Sequence, residues 1–287
     1  PPSTYCSYPL IYPSVLQDLL LHKNYFPFKL HQHFYHMASS QAANVNLFLP
    51  ILLHPLVNNV LRTLKSDFDR LAVNELYKGF RIEFWDGNSN KEKGLLGDHN
   101  ARSGTDSDIA IAYYNKEDEL CLWLIEHKLT EHEFSTCGGF KSNGRQTQHD
   151  CSKNFSQIIS DKNICYYQDI RKFNYWDLTD KYQSFFVNHS NFNSCPFQGG
   201  LNQLWRNQLM GLALEQAGKY KHVYFSVVMH PDNKGLDNSI SEYKKMINND
   251  QKFSVFDSKA VVDEVAKLND NLLNQWFYWY CELYDIK

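Results

Sequence analysis

The chain has 287 residues, 43% hydrophobic and 15% aromatic, enough to bury one large domain or one core with insertions. A net charge of −3 excludes a bulk basic field as the means of holding nucleic acid, so such contact must use local patches. Seven cysteines form no small secreted framework, which suits a reduced, cytoplasmic setting.

The start, PPSTYCSYPL, lacks the basic and apolar regions of a secretory signal and reads as an extended arm. It opens on Pro rather than Met, which leaves room for residues upstream. Ser14 to Lys23 has a serine cap and helical spacing. Phe26 to Met37 holds His31, His33 and His36. His33 and His36 would share a helix face, but no acidic or Cys partner is near, so an exposed polar helix is expected. A helix start at Ser39-Ser40-Gln41-Ala42 leads into Val45 to Leu61, with breaks expected at Pro50 and Pro55. The longest apolar run, Val45 to Val57, is too short to span a bilayer. Asp67 to Tyr77 reads as a helix, and Phe80 to Trp85 as a strand closed by Asp86-Gly87-Asn88.

Ser103 to Glu131 then reads as a β-hairpin. One strand begins near Asp106 and Asp108 and runs through Tyr114. The other runs from Leu120 to Glu126-His127-Lys128. Both are apolar throughout, so they read as central and buried. Alternation puts Glu126 and Lys128 on one face and His127 on the other. Folding the hairpin about Lys116 to Asp118 brings Asp108 near Glu126. Buried charges need pairing or a metal, and carboxylates are the hard ligands that Mg²⁺ prefers. A neighbouring lysine can hold water or offset charge on phosphorus. Glu242-Tyr243-Lys244 and three similar triplets follow no such strand pair.

Asp108 followed by Glu126-His127-Lys128 resembles the signature of the PD-(D/E)XK nuclease superfamily. The wording of Leu124 to Glu131, Cys137-Gly138-Gly139, His149-Asp150-Cys151, Cys195-Pro196-Phe197 and Gly199 to Gln208 resembles a family of predicted bacterial restriction-type endonucleases within it. The resemblance implies an α/β fold, a mixed central sheet flanked by helices with an αβββαβ core. It implies Asp108 and Glu126 as ligands of Mg²⁺ or Mn²⁺, with Lys128 positioning or activating water and Asp106 in reserve. It further suggests Glu75 from the preceding helix, and Gln203 or Gln208 from the helix after the Glu-x-Lys strand.

Leu129 to Gly200 reads as an insertion carrying Cys137, Cys151, Cys165 and Cys195. It has no C-x-x-C knuckle, and Pro196 follows Cys195, so a 4Fe–4S cluster, a zinc ion and no metal all stay open. Lys141 and Arg145 lie in a Gly-rich loop suited to DNA phosphates. Leu201 to Gly218 reads as a helix and His222 to Met229 as a strand. Helices are expected over Ser239 to Asn248 and Ser258 to Leu283. No P-loop is present, so no ATP-driven motor is encoded here.

The expected organisation is an N-terminal extension over 1–66 and a nuclease domain over 67–287 with its insertion at 129–200. The expected function is metal-dependent hydrolysis of DNA in restriction or phage defence, with no membrane partner; restriction-type nucleases often pair as homodimers. A repair or recombination nuclease and a non-catalytic nucleic-acid-binding protein are the alternatives.

Overall fold

The computed structural model describes residues 8–87, 92–100, 103–140, 149–248 and 250–287. Its centre is the hairpin of strands β3 (Ser107–Asn115) and β4 (Leu120–Lys128). They pair antiparallel, with Ile109 opposite Ile125 and Tyr114 opposite Leu120. Being apolar on both faces, they need cover on both. Ile109, Ile111, Tyr113, Trp123 and Ile125 face one hydrophobic layer. Ala110, Ala112, Leu122 and Leu124 face the other.

β5 (His222–Met229) runs parallel to β4, and β6 (Phe253–Asp257) parallel to β5. On the far edge of β3, β1 (Phe68–Leu71) and β2 (Phe80–Phe84) pair antiparallel with its two ends. The first layer holds α1 (Leu16–Tyr25), α2 (Ser40–Leu52), α3 (Val57–Leu64), α9 (Ser258–Ala266) and α10 (Asn271–Tyr284). The second holds α4 (Phe155–Ser160), α5 (Tyr166–Asp169), α6 (Tyr175–Lys181), α7 (Leu201–Gln216) and α8 (Asp237–Met246). The sequence α2, β2, β3, β4, α7, β5 is the αβββαβ order, a mixed sheet between two helical layers. Among the described residues no helix is long and apolar enough to cross a membrane.

Several local expectations are corrected. Asp67 to Tyr77 is not a helix: Phe68–Leu71 is β1, drawn into extended pairing by the free edge of β3. The first helix of the core is instead α2, whose N-cap Ser39 accepts from the Ala42 N–H at 3.2 Å. Phe26 to Met37 is a run of turns with Phe34 buried as its anchor. Pro50 does not break α2 but lies inside it. Proline cannot donate to the Asn46 carbonyl four residues back. That carbonyl accepts instead from the Trp276 indole N–H at 2.7 Å.

Asn46 is a fastener in the first layer. Its Oδ1 accepts from the Tyr12 N–H at 2.9 Å, and its Nδ2 donates to the Leu10 carbonyl at 2.7 Å and to the Tyr284 hydroxyl at 2.8 Å. Residues 8–66 therefore share one core with α9 and α10. Asn46→Ala strands several buried polar groups, and the loss expected is about 2–4 kcal/mol. Urea unfolding checks this: the midpoint should fall at constant m-value. An unchanged midpoint would remove Asn46 from this role.

Candidate active site

At the end of the hairpin nearest α2 and α7, the alternation of β3 and β4 projects Asp108, Glu126 and Lys128 towards one another. Glu126 is 4% and Lys128 7% exposed. Lys128 Nζ lies 2.9 Å from Glu126 Oε1. Asp108 Oδ2 accepts from the His127 N–H at 2.6 Å, which locks the two strand ends together. The Asn44 side chain of α2 donates to the Asp108 carbonyl at 3.0 Å. His127 itself is fully buried on the opposite face, where burial pushes its imidazole down to about 3.

Helix α7 completes the coordination of Glu126. Gln203 Nε2 donates to Oε1 at 2.6 Å, and Asn207 Nδ2 donates to Oε2 at 3.1 Å. Gln203 Oε1 accepts from the Ser135 N–H at 3.1 Å, so one amide joins three segments. Of the two glutamines expected here, Gln203 meets the cluster. Gln208 does not: it is fully buried, and among the described residues no hydrogen bond reaches its side-chain amide. Asn207 was the better sequence candidate, because i and i+4 share a helix face.

The sequence gives no direct sign of Glu83. In β2, Phe80 and Ile82 face the first layer, while Phe84 faces the second. Strict alternation would keep all three together. Glu83 breaks the alternation with φ at +49°, a region that non-glycine residues seldom occupy. Such a residue costs about 1–3 kcal/mol and persists only where its surroundings impose it. Here the carboxylate accepts from Gln41 Nε2 at 2.7 Å. Together with Asp108 and Lys128 it lines a cavity of about 770 Å³.

Electrostatics sharpen this picture. Burial lifts the Glu83 carboxyl to about 8, against the Gln41 hydrogen bond and with help from Asp106 and Glu126. Burial, then Glu126 and Glu83, push Asp108 well above the ordinary carboxylate range. Both keep some surface on the cavity while their charged groups sit among protein atoms. Burial draws the Lys128 ammonium down, but Glu126 and Asp108 outweigh it and hold it above the ordinary lysine value. Three carboxyl groups thus sit about one ammonium. Carboxylate oxygens are the hard donors that Mg²⁺ or Mn²⁺ takes, one or two from a protein with water and phosphate completing the shell.

The other expected residues lie elsewhere. Glu75 pairs with Lys219 at 2.8 Å and is outside the cavity, because its segment is a turn after β1 and not a helix over the site. Asp106 points at His99, with Nε2 at 2.9 Å, and His99 stacks on Trp85. Lys141 and Arg145 fall outside the described residues. Cys137, Cys151, Cys165 and Cys195 gather in the second layer, where the Cys195 N–H donates to the Cys151 carbonyl at 3.1 Å. Burial pushes the Cys195 thiol well up, and the other three thiols add to this. Among the described residues, no group of three or more His, Cys, Asp or Glu side chains is arranged to hold a metal ion by itself.

The raised Glu83 carboxyl gives a test. It keeps its proton in the folded chain where the unfolded chain has lost it, so its cost to stability is absent at low pH. The cost grows as pH climbs from 4.5 towards about 8. In EDTA, the melting temperature of Glu83→Gln relative to the unsubstituted protein should therefore rise between about pH 5 and about pH 8. A pH-independent difference would contradict a raised Glu83.

A sequence model of the family described as Restriction Endonuclease associating with ARP matches residues 2–284. No curated protein and no solved structure matches the chain. The family match spans nearly the whole chain, including both helical layers and every residue of the cluster, and the chain belongs to the REase-ARP family.

Proposed function

We propose that the protein is a metal-dependent DNA endonuclease that hydrolyses phosphodiester bonds in restriction or phage defence. The observation that carries this reading is the convergence of Asp108, Glu126 and Lys128 at one hairpin end, beside Glu83 and an open cavity. Family membership supports nuclease chemistry in general.

Asp108 and Glu126 would hold Mg²⁺ or Mn²⁺, with Glu83 as a third carboxylate at the same cavity. When bound, the metal would polarise the phosphate and favour deprotonation of water. Lys128 donates hydrogen bonds to the attacking water or to a phosphoryl oxygen, and so orients the one and offsets charge on the other. Hydrolysis adds water across one P–O bond: the water's oxygen goes to phosphorus, the departing deoxyribose oxygen ends with one of its protons, and the other stays on the phosphate or goes to solvent. Gln203 and Asn207 fix Glu126 in its rotamer, which leaves Lys128 pinned over the cavity. The buried hairpin keeps the cluster rigid, and the cavity admits the phosphate from the α2 side.

Plasmid nicking with Mn²⁺ tests the reading. Asp108→Asn, Glu126→Gln and Lys128→Ala should each lower the rate by about 10³-fold or more. Gln203→Ala should lower metal affinity or activity by about 10–100-fold, as loss of a residue that orients a ligand does. Metal-independent cleavage, or full activity in Lys128→Ala, sinks the mechanism.

A further inference from the structure

The cavity has a second wall that the mechanism leaves unused. Lys29, His31, Gln32 and His33 line it together with Glu83, Asp108 and Lys128. Their side chains are exposed, while the neighbouring Phe34 is 1% exposed and anchors the segment. The backbone is folded by turns: the Phe34 N–H donates to the His31 carbonyl at 2.9 Å, and the His36 N–H to the His33 carbonyl at 2.9 Å. The imidazoles of His31 and His33 lie 5.3 Å apart. Lys29 makes no ion pair among the described residues, although Glu83 and Glu133 line the same cavity.

One side chain ties this wall to the carboxylates. Gln41, 7% exposed in the first turn of α2, accepts from the His31 N–H at 2.8 Å. Its Nε2 donates both to the Lys29 carbonyl at 3.2 Å and to Glu83 Oε1 at 2.7 Å. The amide thus sets the distance between a donor-rich rim and the hydrolytic cluster.

The rim carries no carboxylate of its own. Its chemistry suits an anion. An ammonium and two imidazoles, each with an N–H donor, line a cavity that also holds the carboxyl groups of Glu83, Asp108, Glu131 and Glu133 and the Lys128 ammonium. A phosphodiester backbone entering that cavity meets repulsion from the Glu131 and Glu133 carboxylates, and the chain's net charge offers no general attraction. Phosphate contacts by Lys and side-chain N–H groups are the usual means of fixing a duplex in register.

We infer that Lys29, His31 and His33 form a clamp for the DNA backbone beside the scissile phosphate, and that Gln41 positions this clamp relative to Glu83. The inference rests on the nuclease reading and names its substrate-binding residues. In this scheme the rim governs capture, and the carboxylates govern the chemical step. Gln41 is a positioning residue that serves both.

The test uses the full chain, a fluorescent DNA duplex in Ca²⁺ for binding, and a supercoiled plasmid in Mn²⁺ for cleavage. The triple variant Lys29→Ala/His31→Ala/His33→Ala should bind about tenfold more weakly or worse, with a shallower dependence on salt. Its cleavage defect should fall on KM. Lys29→Glu, a change at one exposed side chain, should weaken binding without altering the melting temperature, and Lys29→Arg should restore it. Gln41→Ala should raise KM and also lower kcat, whereas a purely structural glutamine would move only the melting temperature. If the native protein cleaves DNA and the rim variants bind with its affinity and salt dependence, the clamp is wrong and the nuclease reading stands. If the native protein neither binds nor cleaves DNA, both fail.

Discussion

A buried carboxylate on a central strand is the constraint around which this structure is built. Glu126 is almost wholly removed from water, and such a charge is tolerated only with partners. It has three: the ammonium two residues along its own strand and two amides from α7. Those contacts fix where α7 crosses the sheet and keep Glu126 in a single orientation. The second helical layer is therefore placed by polar demands as well as by apolar area. Removing one partner would leave a charge stranded, while the remaining pair would hold the strand end in place.

The parts legible in the sequence are those governed by local pattern. β3, β4 and β5 are uninterrupted apolar runs of strand length, and α7 carries helical periodicity, so all four are found where expected. Asp108, Glu126 and Lys128 meet because alternation and hairpin register are local rules. What escapes is decided by distant neighbours. The stretch from Asp67 to Tyr77 has helical spacing, yet an open strand edge takes Phe68–Leu71 into the sheet. Glu83 is turned by a backbone conformation that no residue pattern announces, and its partner Gln41 lies 42 residues away. Gln208 was attractive by residue type, but helical phase carries it one step off the face that Gln203 and Asn207 share.

The segment before the hairpin illustrates the same division. Its composition suggests an appendage, whereas its packing places it in one hydrophobic core with the central sheet and α10. Asn46 joins it to α10, Asn44 supports the backbone of Asp108, and Gln41 reaches Glu83. All three amides lie in α2, and the layer they hold together is the one from which the cavity opens. The family match likewise includes this segment.

The wide chain separation inside the cluster bears on how the protein reaches its native state. Asp108 and Glu126 are joined by a tight hairpin that closes quickly, because a short loop loses little entropy. Gln203 and Asn207 stand 77 and 81 residues from Glu126 along the chain. Their docking, and the parallel pairing of β4 with β5, must wait for the whole intervening segment to be made and folded. During synthesis the carboxylate pair thus exists well before the helix that restrains it. Maturation of the site is a late, long-range event, and a ribosome-bound chain ending before α7 carries the acidic residues without the geometry that α7 imposes.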